Sequence, residues 1–216
     1  MTLGIWLTFI IAASIIAISP GSGAVLSMSH GLSYGVKQTT ATILGLQAGL
    51  LSILVVAGAG VGSLLLASET AFNIVKTVGA LYLIYLGASQ WRAKAEVPPQ
   101  TSAQTEGAAG QGRIPSRKKR FLLGFFTNAT NPKGIIFMVA VLPQFITPTA
   151  PLLPQLAILA LTMCTIDLLV MHSYAYAASA MQHFFRNENA VRKQNRFFGG
   201  VLMAVGAGLF FVKRTA

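Results

Sequence analysis

The chain has 216 residues, of which 54% are hydrophobic and only 10% charged, with a mean hydropathy of +0.65. That balance excludes an ordinary water-soluble globular domain and points to an integral membrane protein. The net charge of +11 does not mark a nucleic-acid binder, because the basic residues gather in alternate loops, where they act as an orientation signal.

A hydrocarbon core about 30 Å thick needs roughly 20 apolar residues per helix. The first apolar segment, residues 3–28, has no Lys or Arg before it and is too long for the h-region of a signal peptide, so it reads as a spanning helix. Its middle reads SIIAISPGSGA (14–24). Pro20 has no N–H and crowds the carbonyl four residues back, which predicts a break near Ile16. Ser is a good N-cap and Pro is favoured at the first helical position, so Ser19-Pro20 reads as the start of a fresh helix. Gly21 and Gly23 would let a ligand approach the backbone. The second segment, 40–66, carries Ala41, Gly45 and Gly49 as a ridge of small residues suited to a close helix contact. The third runs over 71–90. After it, Glu96 to Gly112 read EVPPQTSAQTEGAAGQG, a flexible linker by composition.

The fourth segment, 121–146, repeats the device of the first: Asn131-Pro132 is again a cap followed by a proline. Asn128 and Gln144 flank that break. Lys133 lies about twelve residues past the basic loop, roughly 18 Å deep at 1.5 Å per residue. A charge there costs about 2.5 to 3.5 kcal/mol on insertion scales, so it should face the bundle interior. The fifth segment, 152–180, contains the single cysteine, Cys164, and Asp167, the only acid within an apolar segment. The sixth, 197–212, is short, with Arg196 and Lys213 placed to snorkel at its ends.

Lys37 lies between segments one and two; Arg92, Lys94, Arg113, Arg117, Lys118, Lys119 and Arg120 between three and four; Arg186, Arg192, Lys193 and Arg196 between five and six. The alternate loops hold only Glu69. The basic loops should therefore be cytoplasmic and both termini outward, with Lys213 and Arg214 as the exception. The expected fold is an all-α integral membrane protein of six transmembrane helices in two inverted three-helix repeats, with the first and fourth helices broken. Residues 1–91 form the first repeat, 92–120 a basic, flexible cytoplasmic linker, and 121–216 the second repeat. Broken helices at matching places in inverted halves mark a midplane binding site in many secondary transporters.

Both fresh half-helices would begin near mid-membrane with their positive dipole ends converging, a place for an anion such as a carboxylate. The substrate-binding candidates are Ser19, Pro20, Gly21, Gly23, Asn128, Asn131, Pro132, Lys133 and Gln144. Lys133 would attract a carboxylate, and Asp167 would sense a proton or an amine. The plainer readings are that the breaks are packing kinks and that Lys133 and Asp167 form a structural pair. His30, His172 and His183 lack ligand spacing, and one cysteine permits no thiol pair, so neither metal nor cofactor is expected. Glycine-lined faces serve either a homo-oligomer or packing within one bundle.

The runs NIVKTVGALYLIYLGASQWRAK (73–94) and FLLGFFTNATNPKGIIFMVAVLPQFI (121–146), with the break SPG (19–21), resemble the lysine-exporter and homoserine/threonine-resistance family of bacterial inner-membrane translocators, the LysE type. The resemblance covers nearly the whole chain. It implies six helices in two inverted repeats, export of amino acids or related metabolites from the cytoplasm driven by protons, and a translocation site that includes Ser19, Pro20, Gly21, Asn131, Pro132, Lys133 and Asp167. Members typically continue SPGPN, whereas Ser22-Gly23 stand here in place of Pro-Asn. Two other readings stay open: an inverted-repeat transporter of another small ion or metabolite, and a membrane partner protein that transports nothing.

Overall fold

The computed structural model describes residues 1–67, 69–92, 114–147, 149–180 and 188–210. The linker from Glu96 to Gly112, and Lys94, Arg113, His183, Arg186, Lys213 and Arg214, lie outside the described residues. All regular structure within them is helical: α1 (Leu3–Ile18), α2 (Ser22–Tyr34), α3 (Val36–Ala67), α4 (Glu69–Arg92), α5 (Arg117–Ala129), α6 (Pro132–Val141) with a 3-10 turn at Leu142–Phe145, α7 (Leu152–Ala180) and α8 (Glu188–Leu209). Val36–Gly58 and Leu152–Ala180 are long and apolar enough to cross a membrane, and α1 with α2 forms a third such stretch bent by 55°. Thr77–Ser89 and Pro132–Phe145 are shorter apolar helices.

The apolar surface is on the outside as well as the inside. Leu3, Leu7 and Ile11 on α1, Val55 and Val56 on α3, and Leu153, Leu161 and Leu169 on α7 are all exposed. Such a belt on a water-soluble protein would be an aggregation liability; facing lipid, it costs nothing. The chain is an integral membrane protein.

Backbone breaks occur at both prolines, with different registers. Ser19 is extended (φ −66°, ψ 118°), as expected of a residue preceding proline. It is the last residue of α1's hydrogen-bonded run, its N–H bonded to the Ile15 carbonyl at 3.0 Å, and it does not cap the next helix. Gly21 is the cap of α2 and makes no side-chain cap bond. The new helix thus starts at Ser22, two residues after Pro20, a correction to the expected Ser19-Pro20 start and to a break near Ile16. The second break follows the expected register: the Asn131 side chain accepts from the Lys133 N–H at 3.1 Å and Pro132 is the first helical residue.

Three helix pairs meet backbone to backbone through glycine. A methyl added at Gly45 would overlap the Phe121 carbonyl, and one at Gly124 the Thr42 carbonyl, so α3 and α5 are in direct main-chain contact; Gly49 extends it to Phe125. Gly31 seats α2 on Ala175 of α7 in the same way. Gly87 and Gly199 face each other between α4 and α8. The ridge of small residues expected on segment two is therefore an α3–α5 contact, the kind that binds transmembrane helices by close van der Waals approach.

Two apolar clusters fill the interior. The larger includes Phe9, Leu50, Leu54, Phe137, Met138 and Leu159; the smaller includes Ala24, Met28, Ile43, Leu46, Met171 and Ala175. A cavity with one polar and one apolar side lies between them.

Candidate functional site

Breaking α1 leaves carbonyls without helical partners, and in lipid each needs another donor. The Tyr174 hydroxyl from α7 donates to the Ile18 carbonyl at 2.5 Å. The Lys133 ammonium donates to the Ser19 carbonyl. Lys133 thus ties the start of α6 to the end of α1, and its side chain lies along Gly21: a Cβ there would stand 3.5 Å from Lys133 Cδ and 3.6 Å from Nζ. The N-termini of the two half-helices, at Gly21 and Asn131, open onto one cavity of about 50 Å³, room for a few water molecules.

Ser19, Gly21, Gly23, Asn128, Asn131 and Lys133 line that cavity, and Asp167 joins them from α7. The opposite wall is apolar, built by Ile16, Leu46, Leu50, Met163 and Met171. Seven of the residues singled out from the sequence are therefore brought together by four helices and the two breaks. Pro20 and Pro132 shape the breaks without lining the cavity. Gln144 is elsewhere, its amide donating to the Ala140 carbonyl one turn back at 2.8 Å.

Lys133 and Asp167 each take a neutral partner. Gln47 Nε2 on α3 donates to Asp167 Oδ2 at 2.6 Å. Gln47 was not apparent as a site residue because it interrupts the second segment without charge or helix break. Its signal is that it is the one amide within 40–66. Its other amide atom, Oε1, is buried with no hydrogen-bond partner. A buried acceptor of this kind costs free energy unless something uses it. Asn128 plays a different part: its Nδ2 donates to the Leu46 carbonyl at 2.8 Å and its own carbonyl accepts from the Asn131 N–H at 2.9 Å, so it closes the end of α5 and fastens it to α3.

The site offers a cation, an acid, an amide with a spare acceptor, and two helix N-termini within one enclosure. Its groups are complementary to a small molecule bearing both charges. The sequence profile of the LysE type translocator family matches residues 14–212. A homoserine/homoserine lactone efflux protein of Salmonella typhi is 38% identical over 207 residues, covering 96% of each chain. A membrane protein of Vibrio cholerae is likewise 38% identical, over 95% of this chain and 96% of its own. A leucine efflux protein of an Enterobacter strain is 29% identical over 93% of this chain and 91% of its own. No solved structure matches the chain. With the profile matched over nearly the whole chain, both helix breaks included, the protein belongs to the LysE type translocator family.

Proposed function

We propose that the protein is a secondary-active exporter that moves neutral amino acids or close derivatives out of the cytoplasm across the bacterial inner membrane, coupled to protons. The observation that carries this reading is the single cavity holding Lys133, Asp167 and both half-helix N-termini. The efflux functions named for relatives across the full length support the direction of transport.

In this reading the bundle has six spans in two inverted repeats, with the basic loops cytoplasmic and both termini periplasmic. A substrate carboxylate enters between Gly21 and Asn131 and displaces the Ser19 carbonyl from the Lys133 ammonium, an exchange of a neutral acceptor for a charged one that favours binding. Asp167 takes the substrate amine or a proton. The Gln47 amide suits both conditions of that carboxyl, because Nε2 donates to a carboxylate and Oε1 can accept from a carboxylic acid. The wall of Leu46, Leu50, Met163 and Met171 faces the substrate side chain and selects an uncharged one, with methionine adapting to its shape. One acid among so many apolar groups leaves a second cationic group unpaired.

The test is efflux from cells loaded with dipeptides of the common amino acids. Expression should accelerate the loss of one or a few neutral amino acids, and Asp167→Asn or collapse of the proton gradient should stop it. Efflux unchanged by both treatments removes proton coupling; no accelerated amino acid removes the exporter reading.

A further inference from the structure

The glycine contacts divide the bundle into units, and the units meet along surfaces of different chemistry. The α2/α7 pair and the α3/α5 pair share one such seam. Beyond the cavity on one side it is apolar: Leu156 of α7 fills the space over Gly58 of α3, 2.8 Å from where a Cβ would stand, and Leu50, Leu54 and Leu159 are buried nearby. On the other side, towards Lys37 and the start of α5, polar pairs are set among the apolar side chains of Met28, Ile43, Leu46 and Met171. Gln47 donates to Asp167 at 2.6 Å, His30 Nδ1 and Thr42 Oγ1 share a hydrogen bond of 2.7 Å, and Thr40 Oγ1 lies 3.4 Å from His172 Nε2.

Ser27 stands one turn along α2 from Gly23, which faces Leu46 and Met171, and one turn before Gly31, which faces Ala175. It is 0% exposed, and its hydroxyl has no hydrogen-bond partner. Three of the four unpartnered buried side-chain polar atoms among the described residues, Ser27 Oγ, Gln47 Oε1 and Arg120 Nε, lie on these helices. Buried polar groups without partners are costly, and within a membrane protein they mark pathways that water or a solute enters. Main-chain contact within each pair resists separation, whereas this half of the seam combines side-chain contacts of Met28, Ile43, Leu46 and Met171 with hydrogen bonds that water can replace.

From this the geometry points to the inner half of the seam between α2/α7 and α3/α5 as the entrance through which a zwitterionic amino acid reaches the cavity from the cytoplasm. The two pairs part about the Gly58–Leu156 end, and the substrate passes Ser27 on its way to Lys133. Arg120 stands at the mouth, 3% exposed, with Nη1 and Nη2 on the carbonyl and side chain of Gln38 at 2.8 and 2.9 Å. Its hydrogen-bond partners among the described residues are neutral, so its charge remains to draw a carboxylate inward. The proposal rests on the exporter reading and its orientation, yet it is tested without measuring transport.

Ser27→Cys and, separately, Thr42→Cys are made with Cys164→Ser, and each is exposed to a membrane-impermeant maleimide from either face of oriented vesicles. Lys37→Cys marks the face that carries the basic loops. Both seam positions should react from the Lys37 face only, and Thr42→Val added to Ser27→Cys should raise the rate about fivefold, the effect of losing one net hydrogen bond. Two positions that stay unreactive in folded protein, or that react from the opposite face, overturn the entrance. An entrance that behaves as expected in a protein exporting no amino acid would instead indict the exporter reading.

Discussion

Lys133→Ala should abolish efflux while leaving the protein inserted in the membrane. The ammonium joins the two helix breaks, through the Ser19 carbonyl, and it lines the cavity beside Gly21. A hydrogen bond to a charged group contributes about 1.5–3 kcal/mol, which corresponds to a roughly ten- to hundredfold loss of affinity for a carboxylate. Export falls further than binding if the ammonium must also return to Ser19 to complete a cycle. Folding is spared because α6 keeps its Asn131 cap and the buried Phe137, Met138 and Val141. The check is the efflux rate per unit of membrane-inserted protein. Lys133→Arg should not rescue it: the side chain already lies against Gly21, and a planar guanidinium there is not equivalent to an ammonium. Wild-type efflux by the alanine variant would remove Lys133 from the mechanism.

Gly45→Leu should have the largest effect on stability. The added side chain begins inside the Phe121 carbonyl, an atom of α5 main chain that no rotamer change can move away. Overpacking commonly costs about 1–3 kcal/mol, and more where backbone must shift. Separating α3 from α5 also pulls Leu46 away from the Asn128 amide and loosens the paired contacts at Gly49 and Gly124. The variant should melt well below the wild type in detergent, or fail to accumulate. Gly208→Ala is the matched control, since nothing lies within 4 Å of its added Cβ, and an alanine there should be neutral or stabilising by up to about 1 kcal/mol. Equal melting temperatures for Gly45→Leu and wild type would show that the α3–α5 contact does not hold the bundle.

Proline made both breaks legible in the sequence, because a missing N–H in an apolar run has a local consequence that needs no knowledge of the fold. The register of the first break was less legible. Ser19 and Asn131 both satisfy the rule for a cap and have nearly the same extended backbone, yet at the first break the chain stays extended through Gly21 and α2 starts at Ser22. Lys133 and Asp167 stood out because charge in a membrane segment has so few places to go. Gln47 did not, since an amide carries no charge and its partner is set only by the packing of α3 against α7. For the same reason Gly45 and Gly49 announced a close contact but not which helix would fill it.

The glycine pairs have a consequence for how the protein is made. In each of them, α2 with α7, α3 with α5 and α4 with α8, one helix comes from before residue 93 and its mate from after residue 116. When the first ninety or so residues have left the ribosome, none of those notched surfaces has its counterpart. At a synthesis rate of about 5–20 residues per second, they wait for seconds in the bilayer with lipid tails filling the grooves. The order of insertion is therefore not the order of assembly: the nascent protein passes through a stage in which its helices are in the membrane but unmated, and whatever holds them near the insertion machinery during that interval decides the yield of finished transporter.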